Sequence, residues 1–550
     1  MTRSPELSRR SLLRAIGMGA TAIAMPSLIA ACGDGGGGSV GNAGTDQVPW
    51  PTHQPFAGPA PDLPGTAEGV QAGYTKYPSN LVSAVKATPG DKTKVRAVAV
   101  TYGTPPKPAE QNKLWQAIND ALGIDLELTL VPDADFEAKM ATLTAGDDLP
   151  DIISIGGGHR LPREQEFVST KCADLSDYLA GDKVKAYPNL ANLPPYAWQG
   201  MGRIKGRIFG IPLERPLPAY GMFIDRNAFA SVGANDTTWS KDDFAAAVKA
   251  LSKNKQYGLG AQKANQFGLR QLHAAAFGAP NDWKVDGGKF VRAETLPEFR
   301  DALAFVRDLF AAGAYYPDTM SLSVTDTKTF YYNGTFKSMT DGLAAFAPAV
   351  TSVKGAYPVD LALPYKTGSG APHIVAGTGN FGYTVLKKAP PERIQMLLRV
   401  LDYLAAPFGT KEYELTHFGV EGLHFTRAAD GTPTPTALWS NGENNVNLPV
   451  IYLAEAPRVL YFSGVDTESV KRLHAWETKA VPLAVKNPAA GLVSDTRSRS
   501  GVTLDKIFND GINDIVAGRA PLTDWDAVVK KWRDGGGDKM AEEYAKEYAG

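Results

Sequence analysis

The sequence predicts an α/β fold in two lobes, preceded by an export signal and a flexible tether. Strands and helices alternate from about residue 93 onward, a pattern typical of a parallel sheet. The folded part is about 460 residues long, which is too much chain for one hydrophobic core and implies two lobes. An apolar segment that ends at a cysteine precedes this part.

The N-terminal residues have the order of a lipoprotein export signal. Residues 8–14 read SRRSLLR, a pair of arginines followed by two leucines, which resembles a twin-arginine signal. The apolar run at about 15–31 is short for a membrane span, which needs roughly 20 strongly apolar residues. It ends LIAACG and resembles a bacterial lipobox, so we expect residues 1–31 to be removed and Cys32 to carry a lipid anchor. Export by the Sec route stays open, because Sec signals also contain paired arginines.

Residues 32–90 are rich in glycine and proline, and this composition predicts a flexible tether. The formal net charge is −1, and removal of residues 1–31 takes away four arginines and one glutamate, which leaves −4. No basic excess is present to bind nucleic acid. With Cys32 assigned to the anchor, Cys172 has no partner, and we interpret it as a small packed residue rather than a nucleophile.

The folded part begins with five alternating elements. Apolar patterns predict strands at 95–100, 125–131 and 152–155. Apolar residues spaced by three or four predict helices at 114–122 and 136–145, each followed by a glycine. This β-α-β-α-β order predicts a parallel sheet with right-handed connections. Further helices are predicted at 241–251, 297–312, 391–405 and through most of the last sixty residues.

Four short stretches follow one another in a recognisable order. They are LTAGDDLPDII at 143–153, KGRIFGIP at 205–212, FGAPNDW at 277–283, and the C-terminal region from GRAP at 518–521 to Tyr544. Behind a lipobox, this order resembles the extracellular solute-binding protein family of ABC importers. The similarity is to the large lipoprotein branch that takes oligosaccharides, including aldouronate- and alginate-oligosaccharide-binding members, and it covers roughly residues 93–550.

The resemblance implies a periplasmic-binding-protein fold of type II, with a mostly parallel sheet and flanking helices in each lobe and a helical C-terminal region. It places lobe one at about 93–217 and 368–425, and lobe two at about 218–367 and 426–550. Ligand would bind in the cleft between the lobes, which close around it. The family implies a monomer anchored at the extracytoplasmic face of the cell membrane. Such a protein would bind a saccharide and deliver it to membrane permease subunits. It would catalyse no reaction and would need neither a cofactor nor nucleic acid.

A saccharide presents apolar C–H faces and hydroxyl groups, so its site needs flat aromatic rings with planar donors and acceptors. Such side chains are expected at strand ends, where the clefts of open α/β sheets lie. The predicted ligand-binding residues are Tyr102, His159, Arg160, Arg215, Trp283, Asn380, Tyr383 and Trp439. Each has a structural alternative in the core, in an ion pair or on the solvated surface.

Motifs of other chemistries lack their structural context. GGSVG at 37–41 fits the nucleophile elbow but lies in the predicted tether, without a strand–turn–helix. GTGNFG at 377–382 fits a dinucleotide loop but is followed by a predicted strand. The histidines are scattered, and 282–293 lacks the ligands of a calcium loop, which some alginate-binding members of the resembled family carry. We therefore predict no metal site.

Two other functions stay open. A binding protein for a peptide or another solute needs charged anchors, which Arg160 and Arg215 would provide, although uronate sugars would use the same arginines. An exported polysaccharide-degrading enzyme needs a pair of carboxylates, whose spacing is set in space and is not readable from the sequence.

Overall fold

The computed structural model describes residues 40–549, apart from residues 158, 160, 162, 369–371 and 465. The predicted signal segment, Cys32 and Arg160 therefore lie outside the described residues. Within the described part, no helix combines the length and the apolar character that a membrane crossing requires.

The regular elements are numbered along the chain. The strands are β1 (Lys94–Thr101), β2 (Asp125–Pro132), β3 (Ile152–Gly156), β4 (Gly210–Glu214), β5 (Tyr220–Asp225), β6 (Trp283–Asp286), β7 (Lys289–Arg292), β8 (Ser338–Gly342), β9 (Val359–Ala362), β10 (Ile374–Val375), β11 (Asn380–Leu386), β12 (Phe425–Arg427), β13 (Pro433–Pro435) and β14 (Ala484–Val485). The α-helices are α1 (Lys113–Leu122), α2 (Phe136–Ala145), α3 (Glu164–Lys171), α4 (Ser176–Leu179), α5 (Pro188–Ala191), α6 (Pro195–Met201), α7 (Arg226–Ser231), α8 (Lys241–Leu251), α9 (Ala274–Ala276), α10 (Pro297–Ala311), α11 (Val324–Tyr332), α12 (Phe346–Ser352), α13 (Pro391–Leu404), α14 (Lys411–Phe418), α15 (Ala437–Ser440), α16 (Thr467–Ala480), α17 (Asp495–Val516), α18 (Trp525–Trp532) and α19 (Asp538–Ala549).

The five elements predicted between residues 95 and 155 are confirmed within one residue at each end. Asn112 begins α1, because its side chain accepts a hydrogen bond from the backbone N–H of Trp115. Gly123 ends α1 in the left-handed conformation, with a φ of 65° that favours glycine. The predicted helices at 241–251, 297–312 and 391–405 correspond to α8, α10 and α13.

The first lobe is built on a five-stranded sheet in the order β2-β1-β3-β11-β4. Strand β1 pairs in parallel with β2 and β3, as the element order predicts. Strand β11 comes from a distant part of the chain and runs antiparallel to β3 and β4. Strand β4 therefore runs in the same direction as β1, and the carboxyl ends of four strands meet at one edge of the sheet.

Hydrophobic cores cover both faces of this sheet, as is usual for parallel strands. Val95 and Ala97 of β1 face the core that contains α1, whereas Val98 and Val100 face the core that contains α2. Cys172 is fully buried in this second core, and burial raises the pKa of its thiol to about 12. Its environment is that of a packed residue.

The second lobe contains a three-stranded sheet in the order β8-β5-β9. Strand β5 runs antiparallel to both neighbours, so this sheet is not mostly parallel as predicted. Strand β5, which the chain enters directly from the first lobe, is the central strand of this sheet. Both of its neighbours run opposite to it, because β8 and β9 are joined to each other through α12 and share one direction. Helices α17, α18 and α19 close the core on one side, which confirms the helical C-terminal region.

In the described part of the chain after residue 93, three segments run between the lobes, and they follow β4, β10 and residue 454. The crossing after β4 consists of residues 214–220, and the boundary predicted from the sequence lies at 217. The second crossing, residues 375–380, lies later than the predicted 368, because Ile374 still packs in the second lobe. The third, residues 454–460, lies later than 425, because Leu448 and Leu453 are buried in the first-lobe core.

Residues 40–90 lie along the folded part, whereas their composition predicts a flexible tether. Val40, Val70 and Tyr77 are at most 7% exposed. The backbone N–H of Asn42 donates to Glu547 of α19, and the N–H of Gln71 donates to Glu477 of α16. Sequence composition missed this because the apolar side chains of the segment are scattered among glycines and prolines, and their partners lie far away in the chain.

We expect a chain that starts at residue 91 to unfold at a temperature at least about 5 °C below that of a chain that starts at residue 40. The shorter chain exposes apolar surface of both lobes and leaves the buried Glu547 carboxylate without its backbone donors. Differential scanning calorimetry of the two chains measures this. Equal melting temperatures would mean that residues 40–90 are a tether after all.

Candidate functional site

The edge where the first-lobe strands end carries polar and aromatic side chains. Tyr102 follows β1, Asp133 follows β2, and Arg215 follows β4. Gly157 follows β3 with a φ of 77°, and a Cβ atom at this position would lie 2.6 Å from the hydroxyl of Tyr102. Glycine is therefore required there, because it lets the loop that carries His159 approach Tyr102.

Three aromatic rings form a cluster at this edge, here called the aromatic cluster: Tyr102, Phe381 and Tyr452. Phe381 and Tyr452 are stacked, with ring centroids 5.1 Å apart and an interplanar angle of 16°. Tyr102 meets both rings edge-on, at 6.4 Å and 6.1 Å, and is 47% exposed. The guanidinium of Arg215 lies 4.8 Å from the centroid of Phe381. An exposed ring on a rigid aromatic base is a suitable platform for the apolar face of a sugar.

An ion pair between His159 and Asp133 lies beside this cluster. Nε2 of His159 is 2.8 Å from Asp133 Oδ1, and Nδ1 is 3.5 Å from Glu137 Oε1. Burial alone would lower the pKa of His159, but the two carboxylates raise it above its ordinary value. Among the described residues, no cluster of three or more histidine, cysteine, aspartate or glutamate side chains has the geometry of a metal site.

The second lobe approaches the same edge through α11. Lys328 pairs with Asp341 at the end of β8, at 3.1 Å. Burial would raise the pKa of Asp133, but His159, Tyr102 and the charge of Lys328 together lower it. A lysine of lobe two therefore acts on a carboxylate of lobe one, which indicates that the lobes face each other here.

A buried ion network joins the crossings. Arg215 of the first crossing donates to Glu455 of the third at 2.7 Å, and Arg458 pairs with the same carboxylate at 2.8 Å. Burial alone would raise the pKa of Glu455, but the two guanidiniums lower it below its ordinary value. The charges of Arg215 and Arg458 are thus held by a shared carboxylate.

Backbone bonds complete this connection. The N–H of Arg215 donates to the carbonyl of Gly379 in the second crossing, at 3.0 Å. Glu214 accepts from the N–H of Arg458 at 3.0 Å and from the hydroxyl of Tyr196 at 2.5 Å. Burial raises the pKa of Glu214. The first crossing is therefore bonded to both of the other crossings, through Glu214 and Arg215.

A pocket lies in the second lobe directly beside the crossings. Tyr220 follows the first crossing and His373 precedes the second; they line the pocket with Gln271, Thr340 and Trp476, and we call it the second-lobe pocket. Its free volume is about 20 Å³, which is room for one water-sized group. Gln271 Oε1 and His373 Nδ1 are buried without a hydrogen-bond partner. The aromatic cluster and this pocket thus flank the crossings from opposite lobes.

A second concavity, of about 500 Å³, lies on the outside of the first lobe. It is lined by Tyr178, Lys183, Tyr187 and Arg399, among others. These residues belong to or adjoin α4, α5 and α13, and none of them lies in a crossing. We call it the outer groove.

Trp283 was predicted to contact ligand from a polar loop, but the structure buries it. It begins the β6–β7 hairpin, is 4% exposed, and packs against Phe290, Trp532 and Tyr544. The polar residues before it indicated a loop tip, but the C-terminal helices cover the hairpin. Trp283 is therefore a core residue of the second lobe.

The other predicted residues are distributed unevenly. Tyr102, His159 and Arg215 lie together at the first-lobe edge, as described above. Asn380 adjoins them at the start of β11, but its side-chain amide faces the carbonyls of Ala197 and Thr378.

Two of the predicted aromatic residues serve the first-lobe core. The hydroxyl of Tyr383 donates to Glu164 of α3, at 2.8 Å. Trp439 lies on α15 and packs, partly buried, against the core that contains α1. Neither is part of the aromatic cluster.

Sequence reasoning missed several residues of this region. Asp133 directly follows a predicted strand, and Phe381 directly follows Asn380. The sequence could therefore have indicated that both residues lie near the site. The roles of Tyr452 and Gln271 depend on tertiary packing and gave no local signal.

Replacement of Glu455 by glutamine is expected to lower the free energy of unfolding by about 3–5 kcal/mol. The change keeps the shape but leaves the guanidiniums of Arg215 and Arg458 facing each other in a buried place. Urea denaturation measures the loss. Asp526→Asn, which removes the exposed partner of Arg300, is the control and should cost less than about 1 kcal/mol; equal effects would contradict the network's importance.

The His159–Asp133 pair predicts a pH dependence. Because the folded pKa of His159 is raised above 6.5, its stabilising contribution is complete below that value and is lost as the pH rises through the folded pKa. We expect the stability difference between the wild type and His159→Gln to shrink as the pH rises from mildly acidic to alkaline values. Urea denaturation across this range measures it, and a difference that grows with pH would refute the assignment.

Comparison with known proteins gives two relatives in sequence. A Bacillus subtilis protein named polygalacturonan/rhamnogalacturonan-binding protein YtcQ is 24% identical over 473 residues, 84% of this chain and 92% of the relative. Lipoprotein LipO of the same organism is 24% identical over 488 residues, 84% of this chain and 93% of the relative. No family model matches the chain.

Solved structures share the fold across nearly their whole length. The alginate-binding protein AlgQ2 has a TM-score of 0.63 at 13% identity and covers 85% of this chain and 100% of its own. A solute-binding protein for HMO from Bifidobacterium longum infantis has a TM-score of 0.62 at 13% identity, with coverages of 83% and 98%. The N-glycan transport protein NgtS from Streptococcus pneumoniae has a TM-score of 0.58 at 15% identity, with coverages of 83% and 98%. The resemblance drawn from the sequence motifs is confirmed: this chain has the two-lobed fold of the solute-binding proteins of ABC transporters.

Proposed function

We propose that this protein is an extracytoplasmic receptor that captures a carbohydrate, most simply an oligosaccharide, and delivers it to the permease of an ABC importer. The observation that carries the proposal is the aromatic cluster at the first-lobe edge, which lies beside the crossings and opposite a polar pocket of the second lobe. Aromatic rings with few polar groups around them are a common setting for sugars.

Names of the relatives support the carbohydrate class. The sequence relative YtcQ is named for polygalacturonan and rhamnogalacturonan, and the structural neighbours are named for alginate, HMO and N-glycan. These proteins are named as binding or transport proteins, which favours capture without chemical change of the ligand. The enzyme alternative has no comparable support.

Binding and closure follow from the geometry. A sugar ring would stack on Tyr102 while Asp133, which His159 holds in place, offers a charged acceptor for its hydroxyl groups. Rotation of the lobes about the joined crossings would then bring the second-lobe pocket onto the ligand. The closed form gains the contacts of both lobes, and this difference in affinity shifts the population toward closure.

The remaining parts of the proposal concern location. Cys32 in its lipobox-like context would hold the protein at the outer face of the membrane, and the relative LipO is named as a lipoprotein. A monomer presenting one closed cleft to the permease is the arrangement we propose. The twin-arginine route is the proposed path of export.

Tyr102→Ala should weaken saccharide binding by about 10- to 100-fold, because it removes the exposed stacking surface. A thermal-shift screen of mono- and oligosaccharides, uronates, peptides and amino acids identifies the ligand. A saturating ligand at about 100 times its dissociation constant stabilises by about 2.7 kcal/mol. Isothermal titration then compares the wild type with the variant, and mass spectrometry follows the ligand.

Tyr548→Ala is the matched control, since Tyr548 is 58% exposed on α19, away from the crossings. It should bind like the wild type. Stabilisation by peptides alone would overturn the carbohydrate class, and cleavage of a bound glycan would overturn the claim that no reaction is catalysed.

A further inference from the structure

Gln271 of the second-lobe pocket occupies an unusual piece of backbone. Gln266, Phe267 and Gly268 have successive φ values of 44°, 62° and 73°, and a π-helical turn at Leu269–His273 follows. Two neighbouring non-glycine residues in the left-handed region are costly, and such strain is held in place by the surrounding structure. Gln271 belongs to the π-helical turn and lines the same cavity as Thr340 of β8.

Two polar atoms inside this pocket lack a partner. Gln271 Oε1 and His373 Nδ1 are both buried without a hydrogen bond from any described residue. Folded proteins pair nearly all buried polar atoms, so each exception calls for a partner supplied from outside the chain. The pocket lies where the ligand would meet the second lobe, next to the first and second crossings.

The residues that line the pocket limit which chemical groups can serve as the missing hydrogen-bond partner. No aspartate, glutamate, lysine or arginine lines the part of the pocket that the described residues form. The cavity of about 20 Å³ has room for one water-sized group. Gln271 Oε1 accepts and needs a donor, which a hydroxyl group provides and an ionised carboxylate does not.

We propose that the second-lobe pocket is a subsite that receives one hydroxyl group of the bound saccharide. The hydroxyl donates its proton to Gln271 Oε1 and accepts a hydrogen bond from the protonated Nδ1 of His373, while the indole of Trp476 bounds the cavity. This inference rests on the proposed carbohydrate function and adds the chemistry of one contact: an uncharged, hydrogen-donating group rather than a carboxylate.

Isothermal titration with xylotriose, mannotriose, galactotriose and trigalacturonate tests the wild type first. The tightest of these probes is then titrated against Gln271→Leu, Gln271→Glu and Gln395→Leu. The first variant removes the acceptor, and the second keeps the shape and makes the acceptor anionic. The third is a matched control, since Gln395 lies on α13 in the outer groove. Circular dichroism confirms folding, and Gln271→Asn, which withdraws the acceptor, replaces a variant that does not fold.

We expect Gln271→Leu to bind the probe at least about tenfold more weakly than the wild type does. Gln271→Glu should stay within about threefold of the wild type, because an anionic acceptor still takes a hydroxyl proton. Gln395→Leu should not change the affinity.

Wild-type affinity in Gln271→Leu would mean that the pocket holds water only, and it would overturn the proposal. If Gln271→Glu lost as much affinity as Gln271→Leu, the bound group would not be a hydrogen-bond donor. This result would also overturn the proposed subsite, although the proposed carbohydrate binding would stand. Binding of none of the four probes to the wild type would instead count against the carbohydrate function itself, and against this subsite with it.

Discussion

The ion pair between Arg215 and Glu455 ties together the segments from which both walls of the candidate site emerge. Arg215 belongs to the first crossing, its backbone N–H bonds Gly379 of the second, and Glu455 belongs to the third. The same guanidinium lies over Phe381, so it also fixes one ring of the aromatic cluster. A hinge bonded at one place permits rotation of the lobes while the local geometry of the crossings is kept.

The electrostatics of this region separate the hinge from the ligand surface. Glu455 keeps its charge because two guanidiniums offset the cost of burial, whereas the pKa of Glu214 is raised by burial. At the surface, the described cations of the edge already have carboxylate partners, as in His159 with Asp133 and Lys328 with Asp341. The surface of the edge that remains available to a ligand therefore consists of aromatic rings and hydrogen-bonding groups.

The sequence predicts local structure here better than it predicts tertiary roles. Elements between residues 95 and 155 were readable because apolar spacing and a glycine such as Gly123 determine them within a few residues. Trp283 was misassigned because the helices that bury it lie more than two hundred residues later. The packing of residues 40–90 was missed for a similar reason, since partners such as Glu547 are distant in sequence. Of the predicted ligand residues, those that directly follow first-lobe strands lie at the edge, because strand ends fix their position.

The most direct test of the account is a crystal structure with the oligosaccharide that titration identifies, compared with one without it. We expect a sugar ring against Tyr102 of the aromatic cluster, a second contact at the pocket beside Tyr220, and lobes closer together than in the free protein. A ligand bound in the outer groove near Tyr187, with the lobes unchanged, would contradict it.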